Sequence, residues 1–378
     1  MAHERSRYLT PLFEKAIGYS PLVGVLGHRQ VGKTTFLDAN SKTYQTFDKL
    51  EARLAAEKDP EGFVKAHPGP LSAIDECQYV PELFPALKEY VRTHRRPGQF
   101  ILSGSVRFTS RKAIRESLTG RIANLELLPF SLPELEGLPA PGLFLKILSG
   151  VSIESWVEKA PLSAKDHARR TKLEKDYLEK GGLPGVCFLR DARNARSKII
   201  DQLETILERD LRLVYETSLS YSQLQNFAQA LAKTEGEPFD LTALYRETGI
   251  SPPTQRKLLR ALEAVFMIRL MPIEGGRKGW VVVFEDQAES RYLAQQQGQL
   301  HAWRYLIYRN IRIPMFYEPG MNFSFFQYRT RGGAFLPFAV RTDLSTIGFL
   351  PILGERPTRS ESLSAESFLR NYDDAKVL

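Results

Sequence analysis

The sequence predicts an α/β protein whose first part folds as a doubly wound parallel sheet with helices on both faces. Segments typical of strands occur at 22–26, 43–47, 71–74, 99–105 and 124–130, and helical segments separate them. Strands that alternate with helices favour parallel pairing, because each crossover returns the chain to the same edge of the sheet. The loop GHRQVGKT lies between the first strand and the first of these helices. A strand, this loop and a helix in that order are the setting that a phosphate-binding loop requires.

Composition excludes several classes of protein. The chain has 378 residues, of which 43% are hydrophobic, so about two to four packed domains are expected. No apolar run approaches the roughly 20 residues that span a bilayer, and the charged N-terminus does not resemble a secretory signal. Cys77 and Cys187 are far apart and lack metal-ligand spacing, so we expect neither a disulfide nor zinc, and we expect a cytoplasmic protein. The net charge of +8 permits a nucleic-acid partner without requiring one.

The loop supplies the chemistry for binding a nucleoside triphosphate such as ATP. Its glycines let backbone N–H groups turn toward phosphate oxygens, and the following helix presents an N-terminus that favours anions. Lys33 is expected to neutralise the β- and γ-phosphates, and Thr34 to offer its hydroxyl to Mg²⁺. The predicted nucleotide-binding residues are Gly27, His28, Arg29, Gln30, Val31, Gly32, Lys33, Thr34 and Thr35.

An acidic pair at the end of a predicted strand completes a hydrolytic site. Asp75 is expected to bind Mg²⁺ and Glu76 to polarise the attacking water; the alternative is an ordinary acidic pair that ends a strand. In ILSGS, at the end of the next core strand, Ser103 or Ser105 could orient the water, or simply end the strand. The sequence therefore predicts ATP hydrolysis.

The pattern of elements changes after residue 137. Residues 138–219 are mostly helical and are predicted to form a lid over the core of residues 1–137. Residues 220–284 show helix, turn, helix and hairpin, which is the plan of a winged helix. Residues 285–378 indicate a mixed α/β domain, and the polar segment after about residue 354 favours partial disorder.

Taken together, the segments GHRQVGKTT, IDECQ, ILSGS, ESLTGR and LPFSLPEL resemble those of prokaryotic AAA-type ATPases with a C-terminal winged helix and a restriction-endonuclease-like domain. DYLEKGGLPGV and LETILERDL extend the resemblance, which covers roughly residues 5 to 270. It implies a helical lid and ring-like oligomers, such as hexamers, with ATP between subunits. It also implies that Gln78 lines the site.

Arg121 is the candidate for a catalytic arginine that acts on a neighbouring subunit. It precedes the strand at 124–130, a position that faces the next subunit in hexameric ATPases. Arg107, Arg111 and Arg115 in the same segment compete for this role, and a solvated basic helix is the alternative.

The last domain departs from the family. Relatives carry a Glu and an Asp in the segment that here reads YRTRGGAFLPF, where Ala334 and Pro337 stand at or beside those positions. The later segment FLPILGE lacks the family's lysine. Apolar side chains cannot hold Mg²⁺, so we predict a degenerate nuclease fold without nuclease activity.

The partner is left open between DNA and protein. Thr254, Gln255 and the basic residues after them lie on the candidate recognition helix, and others lie on the wing. The candidate phosphate contacts are Arg256, Lys257, Arg260, Arg277 and Lys278. The same surface could instead pack between subunits. The favoured function is an ATP-hydrolysing oligomeric motor or switch that acts on DNA; the alternatives are a switch or remodeller with a protein partner and a nucleotide-binding scaffold that hydrolyses poorly.

Overall fold

The computed structural model describes residues 5–108, 118, 120–139, 164–276, 278–318 and 322–378. Five parallel strands form the first sheet, in the spatial order β2-β3-β4-β1-β5. Their bounds are Leu22–Leu26 for β1, Thr43–Thr46 for β2, Ser72–Asp75 for β3, Phe100–Gly104 for β4 and Ile122–Glu126 for β5. The parallel sheet confirms the predicted α/β class of the first part of the chain.

Helices cover both faces of this sheet because its central strands are apolar on both sides. In β1, Leu22 and Leu26 belong to one buried cluster, while Val23 and Val25 belong to another on the opposite face. Fully buried parallel strands require this double covering. The helices of this part are α1 (Thr10–Ile17), α2 (Lys33–Asn40), α3 (Leu50–Lys58), α4 (Pro60–Ala66), α5 (Leu83–Thr93) and α6 (Leu132–Leu135).

The middle of the chain is helical, as predicted. Its helices are α7 (Ala164–Lys180), α8 (Pro184–Cys187), α9 (Ala192–Thr205), α10 (Leu211–Val214), α11 (Tyr221–Lys233), α12 (Leu241–Thr248) and α13 (Pro252–Ala264). A π-helical turn, Ile206–Asp210, joins α9 to α10. Buried side chains on both sides of the boundary predicted at 219/220, such as Leu203 and Leu231, belong to one apolar cluster. The predicted lid and the segment after it therefore share a core.

A hairpin follows α13 and joins a second sheet. Strands β6 (Ile268–Glu274) and β7 (Trp280–Phe284) pair antiparallel, and β6 also pairs with β8 (Phe323–Arg329). The six strands lie in the order β11-β10-β9-β8-β6-β7, so this sheet continues across the boundary predicted at 284/285. The remaining elements are α14 (Gln287–Ala294), α15 (Gln299–Phe316), β8 (Phe323–Arg329), β9 (Phe335–Thr342), β10 (Thr346–Phe349), α16 (Arg359–Asn371) and β11 (Ala375–Val377).

The expectation of disorder after residue 354 was wrong. Thr358 caps α16, and its hydroxyl and the Glu361 carboxylate form a reciprocal capping box. Phe368 of this helix is fully buried against Phe326 and Tyr328 of the sheet. The segment is polar overall, but α16 has one apolar stripe that faces the sheet. Burial of one aromatic ring of this kind contributes about 1.5–3 kcal/mol to the stability of the fold. Among the described helices, none is both long and apolar enough to cross a membrane.

Candidate functional site

The predicted phosphate-binding loop follows β1 and leads directly into α2. Gly32 caps α2 in the left-handed region, with φ of 98°, which glycine adopts without strain. A Cβ on Gly27 would lie 2.3 Å from the carbonyl oxygen of Leu127, so glycine alone fits where the loop passes the next segment. The sequence thus places the N-terminus of α2 and its free N–H groups beside the loop, as anion binding requires.

Lys33 lies inside the curve of this loop. Its Nζ donates to the carbonyl oxygens of Gly27 and His28, both at 3.1 Å. The side chain is buried, and its ammonium is close enough to Glu76 to offset part of the rise in pKa that burial causes in that carboxyl. The ammonium therefore sits between the loop and the acidic pair, where phosphate charge would be neutralised.

Asp75 is the centre of a hydroxyl network that joins three strands and the loop. Thr34 Oγ1 and Tyr44 Oη each donate to Asp75 Oδ2 at 2.7 Å. Ser103 donates to the other carboxylate oxygen, Oδ1. A carboxylate beside a threonine hydroxyl is the oxygen-rich donor set that Mg²⁺ prefers. Thr34 and Asp75 are therefore the residues that would hold this ion.

Glu76 follows β3 in a left-handed conformation, with φ of 56°. Burial raises the pKa of Glu76, and the neighbouring Lys33 offsets part of that effect. Gln78 donates to Glu76 Oε2 and, at 3.2 Å, to Ser105 Oγ, while the Glu76 N–H donates to Ser103 Oγ at 3.2 Å. A buried carboxylate with a raised pKa in a strained backbone position has the properties of a general base.

The two candidate serines lie beside the acidic pair: Ser103 donates to Asp75 and accepts from the Glu76 N–H, and Ser105 accepts from Gln78. Gln78, which only the family resemblance indicated, links Glu76 to Ser105.

Arg121 lies at the opposite edge of the sheet from the loop. It precedes Ile122, which pairs with Leu22 at the start of β1, whereas the loop begins after Leu26. The intervening strand is about 15 Å long at the usual rise per residue. Arg121 therefore cannot reach the site of its own chain, and its proposed role on a neighbour stays a prediction.

Of the competing arginines, Arg107 packs within the chain. Its guanidinium lies 4.4 Å from the ring centroid of Phe266 and pairs with Glu126 at 3.1 Å. Arg111 and Arg115 lie outside the described residues.

Sequence reasoning missed the side chains that contact the outer face of the loop. His28 is fully buried, and its Nε2 lies 3.0 Å from Glu289 Oε2 on α14. Gln202 on α9 donates to the other oxygen of Glu289 at 2.7 Å. No local pattern joins residues so far apart in sequence, so only the three-dimensional fold reveals them.

Arg29 makes a second contact of this kind. Its guanidinium lies 3.4 Å from Asp210, a buried carboxylate on the π-helical turn. Arg209 of the same turn stacks over Tyr79, 5.2 Å from its ring centroid. π-helical turns occur often at functional sites. The segment LETILERDL carried part of the family resemblance, and Asp210 gives it a structural role beside the site.

Two further segments enclose the loop. Gly182, in the turn before α8, donates its N–H to Asp286 at 2.8 Å. Pro184 of the same segment lies beside Gly32 of the loop, since a Cβ built on Gly32 would be 3.5 Å from the Pro184 ring. Arg7 donates to the carbonyl oxygen of Val31 at 3.0 Å. The loop is thus contacted by Arg7 of the N-terminal segment, by the turn that contains Gly182 and Pro184, by the π-helical turn and by α14.

The candidate nucleic-acid residues lie apart from this site. Arg256, Lys257 and Arg260 are exposed on α13, and Lys278 is exposed in the hairpin turn. Arg277 lies outside the described residues. Helix α13 and the hairpin have the order of elements expected of a winged helix, but DNA binding by this surface stays a prediction.

The C-terminal positions of interest lie at strand β9. Ala334 precedes it, and Pro337 is within it. The described part of the chain holds no group of three or more histidine, cysteine or acidic side chains arranged to bind a metal ion.

Comparison with known proteins agrees with the geometry of the first part of the chain. Residues 19–136 match a family described as an AAA domain, and residues 171–276 match a family described as a domain of unknown function. Uncharacterized proteins of Mycobacterium bovis and Mycobacterium tuberculosis are each 26% identical over 261 residues, which is 68% of this chain and 50% of theirs. The chain therefore spans about half the length of the curated relatives it matches.

A solved structure of a signal transduction ATPase with numerous domains, which has a tetratricopeptide repeat sensor and comes from Pyrococcus horikoshii, is a distant neighbour. The match covers 82% of this chain and 45% of that one, at 11% identity and a TM-score of 0.28. The AAA-domain match, together with the parallel sheet and its phosphate-binding loop, supports an AAA-type P-loop ATPase domain.

Proposed function

We propose that the chain is an ATP-hydrolysing switch. The observation that supports this most directly is the network around Asp75, in which the Thr34 hydroxyl, 2.7 Å away, and Ser103 both bond to one carboxylate. These residues come from the loop, β3 and β4, and they place a metal-binding oxygen set next to the buried carboxylate of Glu76. A scaffold that merely held a nucleotide would not need this last group.

Each residue has a defined part in the reaction. The loop's N–H groups and Lys33 bind the β- and γ-phosphates of ATP. Thr34 and Asp75 would hold Mg²⁺, which would neutralise developing charge when bound. Glu76 accepts a hydrogen bond from the attacking water and orients it toward the γ-phosphate. Ser103 and the Gln78–Ser105 pair keep the two carboxylates in place.

We also propose that hydrolysis takes place in an oligomer. Because Arg121 cannot reach its own site, a neighbouring subunit would have to present it across an interface. Specific ATPase activity should then rise with protein concentration, and mixing an Arg121→Ala chain with a Lys33→Ala chain should restore activity that neither has alone. Activity independent of concentration, with no rescue on mixing, would remove Arg121 from the mechanism.

The output is proposed to be conformational work on a partner, with nucleic acid as the favoured class. The exposed cations on α13 and the net charge of +8 support nucleic acid, and the apolar residues at Ala334 and Pro337 support loss of nuclease activity. Cleavage of DNA that depends on residues 285–378 would refute the second point. A protein partner is the alternative if DNA neither binds nor changes the ATPase rate.

The decisive test of hydrolysis uses Glu76→Gln beside Lys33→Ala. Glu76→Gln keeps the shape of the site and removes the base, so it should bind ATP as the wild type does and lose at least about a hundredfold in turnover. Lys33→Ala should lose nucleotide binding itself. Glu247→Gln, which changes an exposed carboxylate paired with Lys233, is the control and should match the wild type. Wild-type turnover by Glu76→Gln would overturn the role assigned to this residue.

A further inference from the structure

A cavity lies on the side of the molecule formed by the helical middle and α14. Helices α7, α9, α11 and α14 enclose about 750 Å³ there. The residues that carry its chemistry are Lys180, Arg193, Arg196, Gln229, Arg291 and Tyr292. None of them takes part in the ATP site described above.

The lining of this cavity is strongly basic. Four of its side chains are cations, and Glu179 is the acidic residue among those that line it. In the described part of the chain, Lys180, Arg193 and Arg196 form no ion pair with a carboxylate, although Arg196 stacks over Tyr292 at 5.2 Å. Cations that converge from three helices without carboxylate partners repel one another, so the cavity favours an anionic ligand.

The geometry also suits a ligand with several phosphates. Arg193 stands in the first turn of α9, a helix of 14 residues whose N-terminus is capped by the Asp191 carboxylate, so the cations and not the helix end supply the positive potential. Arg196 follows three residues later, so the two guanidinium groups lie on one face of the helix. Tyr292 offers an aromatic ring beside them, and Gln229 offers an amide. Guanidinium groups next to an aromatic ring are the combination with which proteins bind nucleic-acid strands.

We propose that this cavity, which we call the basic cleft, binds the phosphate backbone of a nucleic acid and signals its presence to the ATP site. The second half of this proposal rests on the proposed ATPase function. The binding half stands without it.

Two helices connect the basic cleft to the phosphate-binding loop. On α14, Arg291 and Tyr292 line the cleft, while Glu289, within one turn of both, contacts His28 of the loop at 3.0 Å. On α9, Arg193 and Arg196 line the cleft, while Gln202 bonds to the same Glu289 at 2.7 Å. A ligand that draws α9 and α14 together would therefore act directly on the contact that holds His28. Such a shared element, whose position both sites affect, is what energetic coupling requires.

Binding is tested without nucleotide, by fluorescence anisotropy with labelled single-stranded and duplex DNA of about 20 nucleotides. The double variant Arg193→Glu/Arg196→Glu should weaken binding at least about tenfold and reduce the slope of log K against log salt by about 1.5–2. Arg193→Gln/Arg196→Gln should weaken it less, and circular dichroism establishes that both variants are folded. The matched control is Lys58→Glu/Lys65→Glu, which reverses two exposed charges on α3 and α4 and should bind as the wild type does.

The binding measurements distinguish DNA binding at the basic cleft from DNA binding elsewhere and from binding of an acidic protein. Wild-type affinity and salt slope in both cleft variants would overturn the binding proposal, as would binding that is lost only in Arg256→Glu/Lys257→Glu/Arg260→Glu on α13. Displacement of DNA by polyglutamate at equal charge concentration would identify an acidic protein as the ligand and overturn it too. A chain that binds DNA through the cleft but never hydrolyses ATP would refute the proposed ATPase function and leave the binding result intact.

Coupling is tested with Glu289→Gln in the full chain. This variant should bind DNA within about twofold of the wild type, because it changes no residue that lines the cleft. DNA should change the ATPase rate of the wild type and not that of the variant, since the charged contact with His28 is the proposed route. An equal response to DNA in both proteins would overturn the coupling.

Discussion

The buried ion pair between His28 and Glu289 makes a testable contribution to stability. Burial on its own would lower the pKa of His28, but the Glu289 carboxylate raises it to about 9, from an ordinary value of 6.5. A histidine whose pKa is higher in the folded than in the unfolded chain stabilises the fold fully below the unfolded pKa. That stabilisation is lost as the pH rises through the folded pKa. The free energy of unfolding should therefore fall between pH 6.5 and 9.

The size of this fall follows from the two pKa values. The difference between 6.5 and about 9 corresponds to about 3 kcal/mol of unfolding free energy. Asp286, which also faces His28, does not interfere, because burial and Glu289 raise its pKa only to about 6. Glu289→Gln removes the attraction and leaves burial, which disfavours the charged imidazole. Its stability should therefore be nearly constant across the same pH range.

The measurement is urea unfolding at several pH values between 6.5 and 9, followed by tryptophan fluorescence without nucleotide. Wild type and the control Glu247→Gln, which changes a pair with about half of each side chain exposed, should lose stability in parallel as the pH rises. Glu289→Gln should lose less than about a third of that amount. A wild-type curve that is flat in this range, or a Glu289→Gln curve parallel to it, would refute the assigned charge state of His28.

Two further predictions concern the packing behind the site. Arg309→Met should destabilise the fold by about 3–5 kcal/mol in urea unfolding, because the fully buried Glu235, which is paired with Arg309 at 2.7 Å, loses this cation. The control Lys233→Met removes a cation from an exposed pair and should cost less than about 1 kcal/mol. Equal losses of stability in the two variants would contradict this reasoning. Gly182→Ala should lower the thermal unfolding midpoint and weaken ATP binding, because the added Cβ would lie 2.2 Å from a backbone carbonyl oxygen. The control Gly298→Ala should match the wild type, since its Cβ meets nothing within 4 Å. A wild-type midpoint for Gly182→Ala would show that the turn can shift to make room for the Cβ.

The phosphate-binding loop and its acidic partner were predictable because their chemistry is local. Gly32 and Lys33 are fixed by the shape of one turn, and Asp75 and Glu76 by their place at the end of one buried strand. Parallel strands bring such ends to a common edge, so neighbours in the sheet can be inferred without coordinates. The same logic predicts that Ser103 lies near the acidic pair, and Ser103 bonds to Asp75 because β4 lies between β1 and β3.

The predictions were weaker where several distant segments decide the structure. The hairpin of β6 and β7 was expected to complete a separate domain, yet β6 pairs with β8 and belongs to the larger sheet. The apolar pattern of a strand shows which side is buried but not which strand will lie beside it. Asp210 and Glu289 were missed for a related reason, because a single acidic residue on a helix looks the same whether it faces solvent or a buried cation.

The outer contacts of the loop explain how an ATP site could control a distant surface. The backbone of the loop faces the predicted phosphate position, while the side chains of His28 and Arg29 face α14 and the π-helical turn. Separating a buried pair of charges costs about 3–5 kcal/mol, which exceeds the 1–3 kcal/mol of a typical coupling between sites. The loop and these elements should therefore move together when the nucleotide changes. Exposed pairs worth about 0–1 kcal/mol could not enforce such a movement. We therefore expect His28 and Glu289 to stay in contact whether ATP or ADP is bound. The conformational change between these two states should then appear at the solvent-exposed surfaces of α9 and α14.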